Sequence, residues 1–420
     1  MSNFKQDLGV IGLGYVGLPL AIEAANSSLK VAGYDINEDV VSNLSKSQSH
    51  VEDISDTVLE DALKKELFFT SDSKVLGECE YIVISVPTPL TDYQPDLSYV
   101  EAATKSIAEN LKNGQVVILE STTYPGTTIE IVQPILENIS KLKAGEDFFL
   151  GYSPERIDPG NNEWTFKNTP KIVSGIDKKS LEKISKFYEL IIDQVVEVSG
   201  TREAEMVKLI ENTYRQVNIA MVNELAILSN MLDIDIWEVV EAAKTKPFGF
   251  QSFRPGPGVG GHCIPIDPKY LSFKTRQVGQ PVRFVELAQE INNSMPNYVV
   301  ARLSELMNKN EILLKNSKIL ILGVAYKKDI GDTRESPALD IIESLLEKSV
   351  DISFYDPHVD ELVVNKCSIF SEEKMENLSN YDLILIHTPH TKFHEINFES
   401  VNSLIFDSTG SFEISNAERI

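Results

Sequence analysis

Positive charge is what this 420-residue sequence is short of: 39 Lys and Arg stand against 63 Asp and Glu, for a net charge of −24. A deficit of that size disfavours broad binding to nucleic acid or to anionic lipid, both of which need a basic face. It still permits an anionic ligand, because backbone dipoles and a few basic side chains bind phosphate on an acidic protein. Cysteine is scarce too. Cys79, Cys263 and Cys367 are an odd, scattered set, which suggests neither a disulfide framework nor a zinc knuckle and fits reduced thiols in a cytoplasm. No apolar run reaches the length of a membrane span. The stretch 1–10 is too short and polar for a signal peptide, so a cytoplasmic location with no membrane or nucleic-acid partner is expected. His50, His358, His387, His390 and His394 show no metal-ligand spacing, and no metal is expected. The pair His387-x-x-His390 falls at a predicted strand end, where a surface role is expected.

What is present is an ordinary globular composition, 42% hydrophobic and 24% charged, at a length that suits two or three domains. In Leu8-Gly-Val-Ile-Gly-Leu-Gly-Tyr-Val-Gly-Leu-Pro19 a short apolar strand runs into close-set glycines and then a helix over 19–26. Further strands are expected at 30–35, 81–86, 116–120 and 148–152, with helical stretches such as 99–111 between them. Strands alternating with helices predict a parallel sheet covered on both faces. From Arg202 to Ala243 the pattern turns helical: Met206, Leu209, Ile210, Tyr214, Val217, Met221 and Leu225 lie three and four apart, along one long helix. Long helices often connect domains or form a dimer seam. A Gly/Pro-rich loop follows over 254–268, and helices return over 270–309.

The last third repeats the first in outline. Residues 318–323 echo the opening strand and glycine, 350–356 echo 30–35, 381–389 echo 81–87, and 404–410 echo 117–123. The expected fold class is therefore α/β: two Rossmann-type doubly wound parallel-sheet domains joined by a long central helix and a helical middle domain. The expected divisions are 1–200, 201–310 and 311–420, with ligands in a cleft between the outer domains.

Gly12, Gly14 and Gly17 form G-x-G-x-x-G between a strand and a helix, and Asp35 ends the next strand where an acid meets the ribose 2′-hydroxyl of a dinucleotide. The glycines alone are a weak sign; in this setting they point to NAD, since an acid there repels a 2′-phosphate. A glycine-rich turn of some other α/β protein is the alternative. Gly323 lacks companion glycines, so no second dinucleotide is expected, and Lys327, Lys328 and Arg334 suit either an anionic group or a solvated basic loop. Cys263 sits in the densest Gly/Pro loop with His262 and Arg254 close in sequence. Backbone N–H groups and positive charge favour a thiolate nucleophile there; a small buried residue is the alternative. Cys79 and Cys367 lack such surroundings and are expected to be structural. Lys208 and Asn212 share a helix face, and Asn218, Asn223 and Glu224 add polar groups to an apolar run; these serve either a site or a solvated surface. Glu155-Arg156 is either a catalytic carboxylate with its neighbour or a loop ion pair.

Seven segments taken together resemble the UDP-glucose/GDP-mannose dehydrogenase family, in its order: 12–19, Val86-Pro-Thr-Pro89, Glu120-Ser-Thr-Thr-Tyr-Pro-Gly126, Ser153-Pro-Glu-Arg156, Lys208-Leu-Ile-Glu-Asn212, Gly258-Val-Gly-Gly-His-Cys263 and Asp332-Thr-Arg-Glu-Ser-Pro337. The resemblance spans 9–410. It implies an NAD-dependent oxidoreductase that takes the C6 alcohol of a nucleotide sugar to a carboxylate in two hydride transfers, feeding polysaccharide synthesis. It assigns Cys263 as nucleophile through a thiohemiacetal and thioester, and Lys208 as oxyanion stabiliser. It assigns Asn212 to orient the sugar, Asp267 and Thr122 to position water or relay protons, and Glu155 as the base of hydrolysis. Cofactor contacts are implied for Gly12, Gly14, Tyr15, Val16, Gly17, Asp35, Pro87, Thr88, Ser121, Thr122 and Arg334. Substrate contacts are implied for Glu155, Arg156, Lys208, Asn212, Arg254, Gly260 and Lys327. The long helix from Arg202 is implied to join two copies as a homodimer.

One departure bears on the sugar. Where the glucose branch carries a second acid four residues after the Glu155 position, this sequence has Pro159, with Asp158 beside it. That stretch, the loop 257–268 and the segment 283–292 resemble the UDP-N-acetylhexosamine branch. UDP-N-acetylglucosamine is the expected substrate, UDP-N-acetylgalactosamine next, and UDP-N-acetylmannosamine and UDP-glucose behind. A non-catalytic sugar-nucleotide sensor and a one-step hydroxyacid dehydrogenase are the alternatives from other classes; the first needs no nucleophile and the second no cysteine.

Overall fold

The computed structural model describes residues 4–51, 54–91, 94–157, 161, 163–261, 263–372, 375 and 378–420. It divides into two compact units, Met1–Glu211 with Lys269–Gln280, and Asn212–Pro268 with Pro281–Ile420.

The first unit opens with β1 (Gln6–Ile11), α1 (Gly17–Asn26), β2 (Val31–Tyr34), α2 (Glu38–Ser45), α3 (Asp56–Leu63), β3 (Leu67–Thr70) and β4 (Cys79–Ile84). A small ribbon of β5 (Leu90–Thr91) and β6 (Gln94–Pro95) precedes α4 (Ser98–Ala108), β7 (Val116–Leu119), α5 (Gln133–Ser140), β8 (Phe149–Tyr152), β9 (Lys171–Gly175), α6 (Lys178–Tyr188) and β10 (Val195–Glu197). The large sheet has the order β10-β9-β8-β7-β4-β1-β2-β3. Its central strands read as unbroken apolar runs because helices cover both faces; all four residues of β7 are fully buried. One pairing departs from the expected parallel sheet: β8 and β9 run antiparallel, with Gly151 opposite Gly175. A Cβ on Gly151 would collide with the Ser174 carbonyl, so the close crossing depends on the missing side chain.

The helix α7 (Thr201–Met231) contributes its first eleven residues to the first unit and the rest to the second. It is shorter than the helical run 202–243 read from the sequence. Asp233 takes a left-handed φ of 56°, and Asp235 caps α8 (Ile236–Lys244) by accepting the Trp237 N–H at 2.8 Å. The second unit continues with α9 (Asp267–Gln277), whose later residues belong to the first unit, and α10 (Arg283–Lys309). Next come β11 (Lys318–Leu322), α11 (Pro337–Glu347), β12 (Asp351–Tyr355), the hairpin β13 (Glu361–Val364) and β14 (Cys367–Phe370), β15 (Leu383–Ile386), β16 (Leu404–Asp407) and β17 (Ala417–Arg419). The five-stranded sheet β12-β11-β15-β16-β17 is parallel throughout. Alternate residues of β11 feed two cores. Ile319 and Ile321 pack with Met295, Val299 and Leu303 of α10, while Leu320 and Leu322 pack with Phe393, Phe398 and Phe412. The fold is thus two Rossmann-type domains with a helical middle, as the residue pattern predicts. No helix among the described residues is long and apolar enough to cross a membrane.

Candidate active site

The order of β3-β2-β1-β4-β7 reverses between β1 and β4, and ligands of such sheets lie beyond the strand ends at that reversal. The three glycines there do three jobs. Gly12 has φ 86°, and a Cβ on it would press on the Ser85 carbonyl carbon at 3.1 Å. A Cβ on Gly17 would strike the Gly12 carbonyl and the Ser85 hydroxyl, so only glycine lets α1 pack this closely. Gly14 faces open space, with nothing within 4 Å. The N-terminus of α1 has neither a capping side chain nor an acid in its first turn, which leaves its N–H groups and dipole for a pyrophosphate. Asp35 is pinned by the Leu13 N–H at 3.0 Å and the Asn37 N–H at 2.9 Å, at the edge where a ribose would lie. These residues fit NAD.

The ends of β4, β7 and β8 carry more of the expected residues. Ser121 donates its hydroxyl to the Val86 carbonyl at 2.7 Å, and the Thr88 carbonyl accepts from the Tyr270 hydroxyl. Both interactions shape the turn that bears Pro87, while Thr122 is half-buried. Glu205, fully buried on α7, accepts the Gly126 N–H, the Thr128 N–H at 2.9 Å and the Thr128 hydroxyl at 2.7 Å. Burial outweighs these bonds and pushes its carboxyl up to about 7. Glu155 is buried, not a loop ion pair with its neighbour: its Oε2 meets the Lys171 ammonium at 2.8 Å, whereas Arg156 turns to Glu211 at 2.6 Å. Lys208 on α7 is 9% exposed. Asp158 and Pro159 lie outside the described residues, as does His262.

In the second unit the Gly/Pro loop is fastened at both ends. Asn223, fully buried on α7, accepts the Gly256 N–H at 2.9 Å and donates to Asn292 of α10 at 3.0 Å; Asn292 donates on to the Gln216 carbonyl. Further along, Gly261 donates to the Arg334 carbonyl at 3.0 Å. Cβ atoms on Gly260 and Gly261 would run into Tyr326. Cys263 is half-buried, and its carbonyl accepts the Asp267 N–H at 2.8 Å in the turn that starts α9. The Asp267 carboxylate accepts a hydrogen bond from Asn212 Nδ2. Arg254 is paired with Glu241 of α8 at 2.8 Å. Cys79, by contrast, is fully buried, and burial pushes its thiol up to about 12; Cys367 is exposed.

The second Rossmann domain has filled its own switch point. Asp356, at the place equivalent to Asp35, accepts the Val324 and Ala325 N–H groups at 2.7 and 3.2 Å and the His390 Nε2–H at 3.0 Å. Its carboxylate is therefore spent on its own turn. The surface role expected for the histidines is overturned here, since His387 and His390 are 4% and 0% exposed. Burial pushes His387 down to about 4. Asp329, His358 and His390 hold possible ligand atoms within 4.8 Å of one another. Both His390 ring nitrogens already have hydrogen-bond partners, Nδ1 taking the Asp329 N–H at 2.9 Å, so this is a hydrogen-bonded cluster. Arg334 folds onto Asp332 through a forked contact at 2.6 to 3.0 Å, and Lys327 is half-buried beside Tyr326.

The first unit thus gathers Gly12, Gly14, Gly17, Asp35, Thr122, Glu155 and Lys208, and the second gathers Asn212, Arg254, Gly260, Cys263, Asp267, Lys327 and Arg334. Sequence reasoning missed Lys171, Glu205 and Asn292. A lysine opening an otherwise apolar strand, Lys171-Ile-Val173, was the available signal for the first.

Comparison with known proteins bears on this arrangement as a whole. Residues 6–192, 202–294 and 320–417 match, in turn, the NAD binding, central and UDP binding domains of the UDP-glucose/GDP-mannose dehydrogenase family. The UDP-N-acetyl-D-glucosamine 6-dehydrogenase of Pseudomonas aeruginosa is 37% identical over 407 residues, 96% of this chain and 94% of that protein. The UDP-N-acetyl-D-mannosamine dehydrogenase of Pyrococcus horikoshii is 36% identical over 396 residues, 94% of this chain and 92% of that protein. A solved structure described as a UDP-D-ManNAc dehydrogenase from the same organism matches with a TM-score of 0.90 at 34% identity, covering 99% of each chain.

Proposed function

The chain belongs to the UDP-glucose/GDP-mannose dehydrogenase family and is an NAD-dependent UDP-sugar 6-dehydrogenase; from that premise we propose that it oxidises C6 of a UDP-N-acetylhexosamine, UDP-N-acetylglucosamine first, to the carboxylate. The residues 1–200 hold NAD, 201–310 carry the nucleophile, and 311–420 hold the UDP group. NAD, when bound, supplies the hydride acceptor for both oxidations. The chain's own groups do the rest. The Cys263 thiolate adds to the C6 aldehyde to form a thiohemiacetal, whose oxidation leaves a thioester. Lys208 stabilises the oxyanion, with Asn212 orienting the sugar. Glu155 takes a proton from the water that cleaves the thioester and returns Cys263, and Asp267 and Thr122 position that water. Tyr15, Val16, Pro87, Thr88, Ser121 and Arg334 line the cofactor, and Arg156, Arg254, Gly260 and Lys327 the substrate.

The observation that carries this reading is the coupling of Cys263 to Asp267 through the turn at the start of α9, with Asn212 bonded to the same aspartate. A sensor has no need to hold a thiol and a buried carboxylate in one turn. Relatives acting on glucosamine and mannosamine derivatives at nearly equal identity support the N-acetylhexosamine class. The experiment is NADH production with a panel of UDP-sugars, counting NADH per sugar consumed. Two NADH per N-acetylhexosamine, lost in Cys263→Ala, is the expected result; one NADH per sugar overturns the carboxylate product, and tight binding without turnover favours the sensor.

The functional unit is a homodimer joined along α7. Met221, Leu225, Leu228 and Met231 are each 43% exposed or more, and all four fall at spacings of three and four along the helix, a stripe that suits a second copy of the same helix. Light scattering on the intact chain tests this: a mass near 94 kDa against the 46.9 kDa of one chain is expected for a dimer (about twice the monomer), and Leu225→Glu with Leu228→Glu should yield monomer.

A further inference from the structure

Three buried polar side chains surround Glu155 and have no task in the chemistry above: Glu120 at the end of β7, Lys171 on β9 and Tyr188 on α6, which are 1%, 3% and 0% exposed. The Lys171 ammonium lies 2.8 Å from Glu155 Oε2 and 2.9 Å from Glu120 Oε1, so one cation serves two carboxylates. They are served unequally. The second oxygen of Glu155 accepts the N–H groups of Arg156 and Ile157, each at 2.7 Å. Glu120 receives the Tyr188 hydroxyl on the same oxygen that meets Lys171, and its Oε2 is buried with no hydrogen-bond partner among the described residues. The Arg156 guanidinium does not join in, because it is held by Glu211 and by the Pro170 carbonyl at 2.6 Å.

Two buried carboxylates against one ammonium cannot both keep their charge cheaply, and the hydrogen bonds decide between them. Burial pushes Glu120 up. Burial acts on Glu155 too, but Lys171 and the two N–H donors overcome it and hold that carboxyl below its usual range.

We propose that Lys171 is a positioning residue of the reaction: shared between Glu120 and Glu155, it fixes the rotamer of Glu155 and keeps it an anion ready to take a proton from water. This rests on Glu155 being the hydrolytic base. Lys171, 3% exposed, acts through Glu155, and Glu120 with Tyr188 forms the wall that holds the ammonium in place.

The test is the pH dependence of kcat for the full chain with NAD and its UDP-sugar, in wild type, Lys171→Met, Lys171→Met with Glu120→Gln, and Glu155→Gln. Loss of the cation should move the acid limb of kcat upward by about one pH unit or more, with KM for the sugar within about two-fold of wild type. The double variant buries one carboxylate fewer and so supplies the answer if Lys171→Met does not fold; its acid limb must also lie above wild type. A folded variant without Lys171 whose acid limb coincides with wild type overturns the proposal. Full turnover by Glu155→Gln sinks the base assignment itself, a different failure from an inactive Glu155→Gln alongside an unmoved limb in the Lys171 variants.

Discussion

Asn212 Nδ2 donates a hydrogen bond to Asp267 Oδ2, between two side chains that are 6% and 3% exposed. The bond joins α7 to the first residue of α9, in the turn that carries Cys263. Replacing Asp267 by Asn keeps the shape and removes the charge. Its kcat should fall by roughly 10²-fold or more, with the melting temperature nearly unchanged. Asn212→Ala instead deprives a buried carboxylate of a donor and should cost about 1–3 kcal/mol in denaturant unfolding as well as activity. Equal loss of stability in both variants would contradict this division.

Asp35 should set cofactor choice. Its carboxylate is held at the edge of the dinucleotide turn, and the next residue, Ile36, is 76% exposed. Asp35→Ser with Ile36→Arg removes the repelling acid and offers a cation to a 2′-phosphate. The ratio of kcat/KM for NADP to that for NAD should rise by about ten-fold or more. An unchanged ratio would mean that Asp35 does not face the ribose.

Glu205 makes a signed prediction for stability. Its carboxyl is raised from 4.5 to about 7 in the folded chain, by burial. Between those values the folded state binds a proton that the unfolded state has shed, so stability falls as pH rises through this window and levels off above it. Glu205→Gln mimics the protonated form. Compared with Glu205→Gln, the wild type should lose melting temperature on going from about pH 5 to about pH 8, and parallel curves for the two proteins would refute the assignment.

Gly260 should tolerate no side chain. A Cβ there would sit 2.6 Å from Tyr326 Cβ and 2.8 Å from the Glu335 carbonyl, neither of which is a flexible side-chain end. Gly260→Ala should cost about 1–3 kcal/mol by overpacking and lower kcat by roughly 10²-fold through a displaced Cys263. Gly256→Ala, in the same loop, is the control for loss of a glycine alone, since Gly256 also lacks a positive φ but a Cβ there would meet nothing within 4 Å.

What the sequence discloses is local. The turn at Gly12 and Asp35, the apolar strands and the repeat beginning at Lys318 are legible because each is written in consecutive residues. The break after Met231 is missed: Asp235 is a capping residue in plain view, but the helical pattern reads straight through it. Other features exist only once distant residues meet. The antiparallel crossing of β8 and β9 needs Gly151 opposite Gly175, and neither glycine marks itself out alone. Lys171 lies 16 residues from Glu155 and His390 lies 34 from Asp356. A buried polar side chain is intelligible only with its partner, so both were invisible to periodicity, and the histidines were placed on the surface.

Asp356, locked onto Val324, Ala325 and His390, bears on the order of the proposed turnover. The chain repeats the Rossmann architecture, yet among the described residues Asp356 has a side chain, His390, hydrogen-bonded to its carboxylate, whereas Asp35 is held by backbone N–H groups. In the proposed reaction four electrons would pass a single NAD site in pairs. The first NADH would then step out, and a fresh NAD step in, while the sugar waits half oxidised. A released aldehyde would escape during that interval; one held on Cys263 would not. Inhibition by NADH should accordingly act at the midpoint of the cycle, stalling enzyme with sugar attached instead of enzyme waiting for sugar.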